Sequence, residues 1–150
     1  MHDLLKQFEE WNDFVLRMKD ADWNVPLGEG KWSVHDVVSH IMFWDKYFFE
    51  EAIERISNGR ELTLKHLVFD EFNREAAEKG KDLPKEQLIE LTLKYRNAIL
   101  DTIKSMTEDQ RSRKYKDADG NDFCIETYLR DFIWHDRHHM RQIEQVIKNG

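Results

Sequence analysis

The chain has 150 residues, 40% of them apolar and 35% charged, with a formal net charge of −7. That length and balance fit one globular domain over residues 1–150 and exclude a disordered chain. The acidic balance argues against a nucleic-acid partner, which needs a basic face to displace counterions from phosphates, and against docking on anionic membranes. No apolar run reaches membrane-spanning length, and the charged start "MHDLLKQFEEWNDF" has no apolar core of a signal peptide, so the expected location is cytoplasmic. One cysteine, Cys124, excludes an internal disulfide and any CxxC site.

In chain order, Leu4, Phe8, Trp11, Val15 and Met18 step by three and four residues and draw one apolar helical face. "DWNVPLGEG" (22–30) breaks that pattern. A second helix enters through Ser33 as N-cap with Asp36 three residues on, and Trp32 and Val37 are placed to staple the turn. Its stripe continues through Val34, Val37, Val38, Ile41, Phe48, Ala52 and Ile56, and Asn58-Gly59 supplies a stop. Residues 63–80 predict a short helix lying across the others, with Leu64, Leu67, Val68 and Phe72 inward. A third long helix follows Pro84 on the stripe Leu88, Leu91, Tyr95, Ile99, Thr102 and Met106. Thr107 and Gln110 form another capping box, "KDADGND" (116–122) is a turn, and a fourth long helix runs from about Phe123 to Lys148. Strand-like alternation is absent, so the expected fold is all-α: an antiparallel four-helix bundle with a short extra helix between helices two and three.

The last helix carries the chemistry. Tyr128, Phe132, His135, His139, Ile143 and Val146 share one face, so two histidines stand one turn apart where the bundle interior should be. His138 falls off this line and is expected outside, and His35, in the first turn of helix two, is expected to be solvated. His40 lies at the edge of the stripe of helix two, two turns in, where it can face the pair. Three neutral imidazoles with an open position suit a divalent ion: zinc or nickel first, iron(II) or manganese next. Asp36 stands four residues before His40 and Asp131 four before His135, and either can orient its histidine, although Asp36 is also the cap residue. Trp44, one turn past His40, is expected to line a pocket beside the ion, with Tyr47 and Tyr128 near it. The competing reading makes the histidines ordinary core groups, hydrogen-bonded to neighbours.

Other patterns fail. "HDRHH" (135–139) has Asp136 where a zinc protease needs glutamate, and the Asp117-x-Asp119-x-Asn121 loop lacks the glycine and the bidentate glutamate of a calcium site. Glu-x-x-His pairs and glycine-rich phosphate loops are missing.

"KWSVHDVVSHIMFWD" (31–45), with Trp32-Ser33 and His40 seven residues after the serine, resembles the second-helix motif of the DinB-like (YfiT-like) metalloprotein superfamily. "HDRHHMRQI" (135–143) resembles its closing His-x-x-x-His-x-x-Gln-Ile motif at His135, His139, Gln142 and Ile143, and residues 69–110 are similar to the ClbS/DfsB branch. The resemblance implies a four-helix bundle with a divalent metal on His40, His135 and His139, the trio the stripes select. It also implies a frequent homodimer and, in some members, an external low-molecular-weight thiol as co-reactant. Three functions therefore stand: a metal-dependent thiol transferase or hydrolase acting on a small electrophile, a binding module that protects without turnover, or a helical dimer with histidines in its core.

Overall fold

The computed structural model describes residues 1–149. Four long helices make the bundle: α1 (His2–Arg17), α2 (Val34–Phe48), α5 (Lys85–Ser105) and α7 (Ile125–Asn149), with the shorter α3 (Glu54–Ser57), α4 (Phe69–Gly80) and α6 (Glu108–Ser112) between them. A two-residue hairpin, β1 (Tyr115–Lys116) antiparallel to β2 (Asp122–Phe123), precedes α7. It closes through Gly120 at φ +83°, and Asp117 Oδ1 accepts from the backbone N–H groups of Asp119 and Asn121.

The predicted apolar face of α1 is buried at every position named for it. The entry of α2 is a full capping box: the Asp36 N–H donates to Ser33 Oγ at 3.2 Å, and Asp36 Oδ2 accepts from the Ser33 N–H at 3.1 Å. The Thr107–Gln110 box forms as well. α5 packs on α1 and α2, and α1 packs on α7, so α1 and α2 face each other across the core. α2 and α7 approach closely at few points, and α4 lies along α2. That loose seam is where the histidines meet.

Three features depart from the sequence expectation. Phe49–Ile53 is a π-helical turn that joins α2 to α3. Inside it the Glu51 carbonyl accepts from the backbone N–H groups of Thr63 and Leu64, which docks the extended segment 60–68. The predicted helix over 63–80 begins only at Phe69, and Val68, expected inward, is 62% exposed because it precedes the helix as its N-cap residue. The buried face of α5 runs through Leu88, Thr92, Arg96, Ile99, Leu100 and Ile103, which leaves Leu91 and Tyr95 half-buried. The face is rotated because Arg96 goes inside.

Arg96 ties all four long helices together. Its Nε and Nη2 donate to Asp45 of α2 at 2.8 and 3.1 Å, and its Nη1 donates to Asp136 of α7 at 2.7 Å and to the Phe8 carbonyl of α1 at 2.9 Å. The guanidinium also lies 3.8 Å from the centroid of the Phe8 ring. Burial pushes Asp136 up to about 6 and raises Asp45, against the downward pull of Arg96 on both.

Candidate metal centre

Each histidine of the trio reaches the seam for a local reason. His40 is on the inward side of α2, one turn past Asp36, and is 1% exposed. His135 and His139, four residues apart, project from one face of α7. One ligating nitrogen from each of the three lies within 4.8 Å of the other two. Ring centroids stand 5.4 Å apart for His40–His135, 5.0 Å for His40–His139 and 4.5 Å for His135–His139. Among the described residues this is the one group of three such side chains placed to share an ion.

Hydrogen bonds settle which nitrogens are free. His40 Nδ1–H donates to the Val37 carbonyl at 2.6 Å, and His139 Nδ1–H donates to Gln142 Oε1 at 3.0 Å. Both Nε2 atoms are then bare acceptors turned to the seam. His139 Nε2 stands 3.2 Å from His135 Nε2. Two imidazole nitrogens on a tetrahedral zinc would stand about 3.3 Å apart, so the spacing fits. Burial lowers the pKa of all three. His40 falls well below the usual imidazole range through burial and then repulsion from His139 and His135. His135 is pushed down to about 4 by burial, then by His139, His138 and Arg96. His139 is lowered by burial, with the Gln142 hydrogen bond opposing. Neutral imidazoles at pH 7 are the form a metal binds.

The donor set fits a divalent ion: His40 and His139 each turn a bare Nε2 to the seam, and His135 Nε2 stands beside them. The other ring nitrogen of His135, Nδ1, is buried without a hydrogen-bond partner among the described residues.

The predicted supporting residues separate. Asp36 is spent on the helix cap, and the groups that orient His40 and His139 are the Val37 carbonyl and Gln142. Asp131 is exposed, and no hydrogen bond among the described residues joins it to His135; it lines the same cleft instead. Trp44 lines that cleft, fixed by its indole N–H donating to Asn73 Oδ1 at 2.7 Å. Tyr47 lies elsewhere: its hydroxyl accepts from the Lys65 N–H at 2.9 Å, and its ring borders a separate cavity with Phe43 and Glu75. Tyr128 is buried against Phe48 and Phe132 and lines no part of the cleft, because the face of α7 turns it into the core about two turns before His135.

Other expectations also shift. His35 is not left to solvent, since its Nε2 is 2.8 Å from the Gly80 carbonyl of α4. Trp32, placed in sequence to staple the entry of α2, sits 5.1 Å from the His40 ring and covers one side of it. His138 is half-buried and stacks on Trp134 with planes 3° apart. Gln142 was visible in the closing motif, but nothing in a single sequence marked it as the partner of His139.

The sequence profile of the DinB superfamily matches residues 4–143. The chain belongs to the DinB superfamily. Two solved structures share its fold. One is YfiT from Bacillus subtilis, described as a probable metal-dependent hydrolase with an unusual four-helix bundle topology; it is 16% identical, with a TM-score of 0.73 over 99% of this chain and 86% of that one. The other is a mycothiol-dependent maleylpyruvate isomerase, 16% identical, with a TM-score of 0.72 over 95% of this chain. This DinB-superfamily chain spans 60% of the isomerase's length. No curated protein matches it. Among the described residues, no helix is long and apolar enough to cross a membrane.

Proposed function

We propose that this protein is a metal-dependent enzyme in which His40, His135 and His139 hold one divalent cation, zinc or nickel before iron or manganese, and which adds a thiol or water to a small electrophile. The observation that carries it is the convergence of three neutral imidazoles, two with Nδ1–H already committed, on one point beside a cleft.

The ion, when bound, supplies Lewis-acid activation of the nucleophile near neutral pH. The protein's own groups do the rest. Val37 and Gln142 fix two ring orientations, so little rearrangement accompanies metal binding. Trp32 shields His40 from water. Trp44, Phe132 and Trp134 offer an apolar wall to a substrate lying next to His135. Cys124 is outside the cleft, so a reacting thiol has to come from solution. The mycothiol dependence of one structural neighbour and the metal dependence ascribed to the other support this reading.

Elemental analysis of protein purified without an affinity tag, beside His139→Ala, tests it. The expected result is close to one divalent ion per chain, lost in the variant while helicity persists, followed by metal-dependent consumption of an electrophile with a low-molecular-weight thiol or water. Absence of metal in both proteins after incubation with zinc, nickel and manganese would return the histidines to the core. A full complement of metal with stoichiometric protection and no turnover would make the protein a binding module.

A further inference from the structure

The cleft beside His135 has a composition that says what it takes. Its aromatic walls are Trp44, Phe69, Phe132 and Trp134, its polar groups besides His135 are Asn73 and Asp131, and its volume is about 470 Å³. That is the size of a small-molecule site. Trp44 is braced from behind by Phe72, with ring centroids 3.9 Å apart and planes 27° apart, and it meets Phe69 and Phe132 edge-on at 5.5 and 6.4 Å. Phe69 and Trp134 are 60% and 66% exposed, an expensive arrangement for rings that have nothing to cover.

Charge narrows the ligand further. Among the described residues no lysine or arginine lines the cleft, so in the protein without its ion a carboxylate or phosphate entering it would meet Asp131 and find no side-chain cation to pair with. An indole N–H only donates, so Asn73 presents its oxygen to Trp44 and keeps its amide hydrogens for another acceptor. The aromatic walls and the single carboxylate suit a flat aromatic group that is neutral or carries a positive charge.

We infer that this cleft is the substrate pocket and that its walls select an aromatic, uncharged or cationic group over an anionic one. The inference rests on the proposed metal-centred function for the role of the pocket, but ligand choice is a property of the cleft walls and is measurable without the ion.

Three probes of one shape separate the possibilities: 1-naphthylmethylammonium, 2-naphthol and 2-naphthoate at pH 7.5. Their binding is followed by the indole N–H cross-peaks of the five tryptophans, assigned by single Trp→Phe replacements, in EDTA-treated protein, where no divalent ion can attract a carboxylate. The expected result is movement of the Trp44 and Trp134 signals, with the ammonium binding at least about tenfold tighter than the naphthoate and the naphthol between them. Asp131→Asn should remove most of the ammonium's advantage and leave naphthol binding unchanged, a pattern that loss of folding cannot imitate. Trp134→Ala should weaken all three probes. Naphthoate binding as tightly as the ammonium would overturn the inference, as would shifts confined to Trp23 or Trp32. Shifts that follow protein concentration rather than ligand would overturn it in favour of a contact between two copies. The ranking in EDTA-treated protein stands even if elemental analysis finds no metal, so the two proposals fail separately.

Discussion

Arg96 Nη1 and Asp136 Oδ2 meet at 2.7 Å in the middle of the bundle, and the residue before Asp136 is His135. One turn of α7 thus carries both a fastening of the core and a wall of the candidate metal centre. Replacing Arg96 with methionine leaves two buried carboxylates without their counterion. The expected loss is about 3–5 kcal/mol in urea unfolding. Adding Asp45→Leu and Asp136→Leu to that variant should recover most of it, since the cost lies in the stranded charges. A single variant within about 1 kcal/mol of the parent would mean that the clamp contributes no more than an exposed pair.

Metal-free protein should lose stability on mild acidification. An unfolded histidine takes up a proton near its ordinary value of 6.5, while folded His135 waits until about 4, so its contribution is complete above pH 6.5 and drains away as pH falls towards 4. His40 and His139 are shifted the same way and add to that loss. Asp136 and Asp45 oppose it: Asp136, raised to about 6 from an ordinary 3.8, favours the folded state as pH falls through that interval, and Asp45, raised by burial as well, acts in the same direction. Three groups outweigh two, and the net drop between pH 7.5 and pH 5 should be on the order of 2 kcal/mol in urea titrations with EDTA present. His135→Leu with His139→Leu should flatten the profile. Equal stability of the parent at the two pH values would count against buried, neutral imidazoles.

Gln142→Leu should weaken metal affinity without removing the site. The leucine keeps the volume beside His139 but cannot accept its Nδ1–H, so the ring loses its fixed tautomer and orientation. A roughly 10- to 100-fold rise in the dissociation constant for zinc, read by competition with a chromophoric chelator, is the expected size. Asp131→Asn serves as the control and should leave metal affinity in place.

Gly80→Ala tests the close approach of α4 to α2. A Cβ at Gly80 would run into Ser39 Oγ and Cβ, well inside van der Waals contact, and it would disturb the Gly80 carbonyl that His35 meets. Overpacking of this kind costs about 1–3 kcal/mol. Because α4 also brings Phe69 and Asn73 to the cleft, the loss in thermal stability should be accompanied by movement of the Trp44 indole signal.

What could be read from the chain was what depends on near neighbours in sequence. The face of α1, the Ser33 and Thr107 caps and the His135–His139 spacing are set within one or two helical turns, and the structure has all of them. The placing of His40 opposite that pair followed from the stripe of α2. Arg96 did not show, because a cation belongs inside only if two carboxylates from other helices come to meet it, and no local pattern states that. The same holds for His35 against Gly80 and for Tyr128, whose neighbours are set by how helices pair. Asp36 illustrates a different limit. Its spacing allowed two roles, and the nearer partner, Ser33, took it.

The π-helical turn at Phe49–Ile53 has a bearing on how much change this protein can absorb. It holds one residue more per turn than the helix on either side, so it acts as a phase adjuster between two lengths of a single rod. Upstream, His40 and Trp44 keep their azimuth; downstream, Ile56 and the stop at Asn58-Gly59 keep theirs. Removing one residue there would let the turn relax to α-helix, whereas a deletion elsewhere in the rod would swing a whole face through about 100°. The turn is therefore where a descendant of this chain could shorten with the histidine still aimed at its partners.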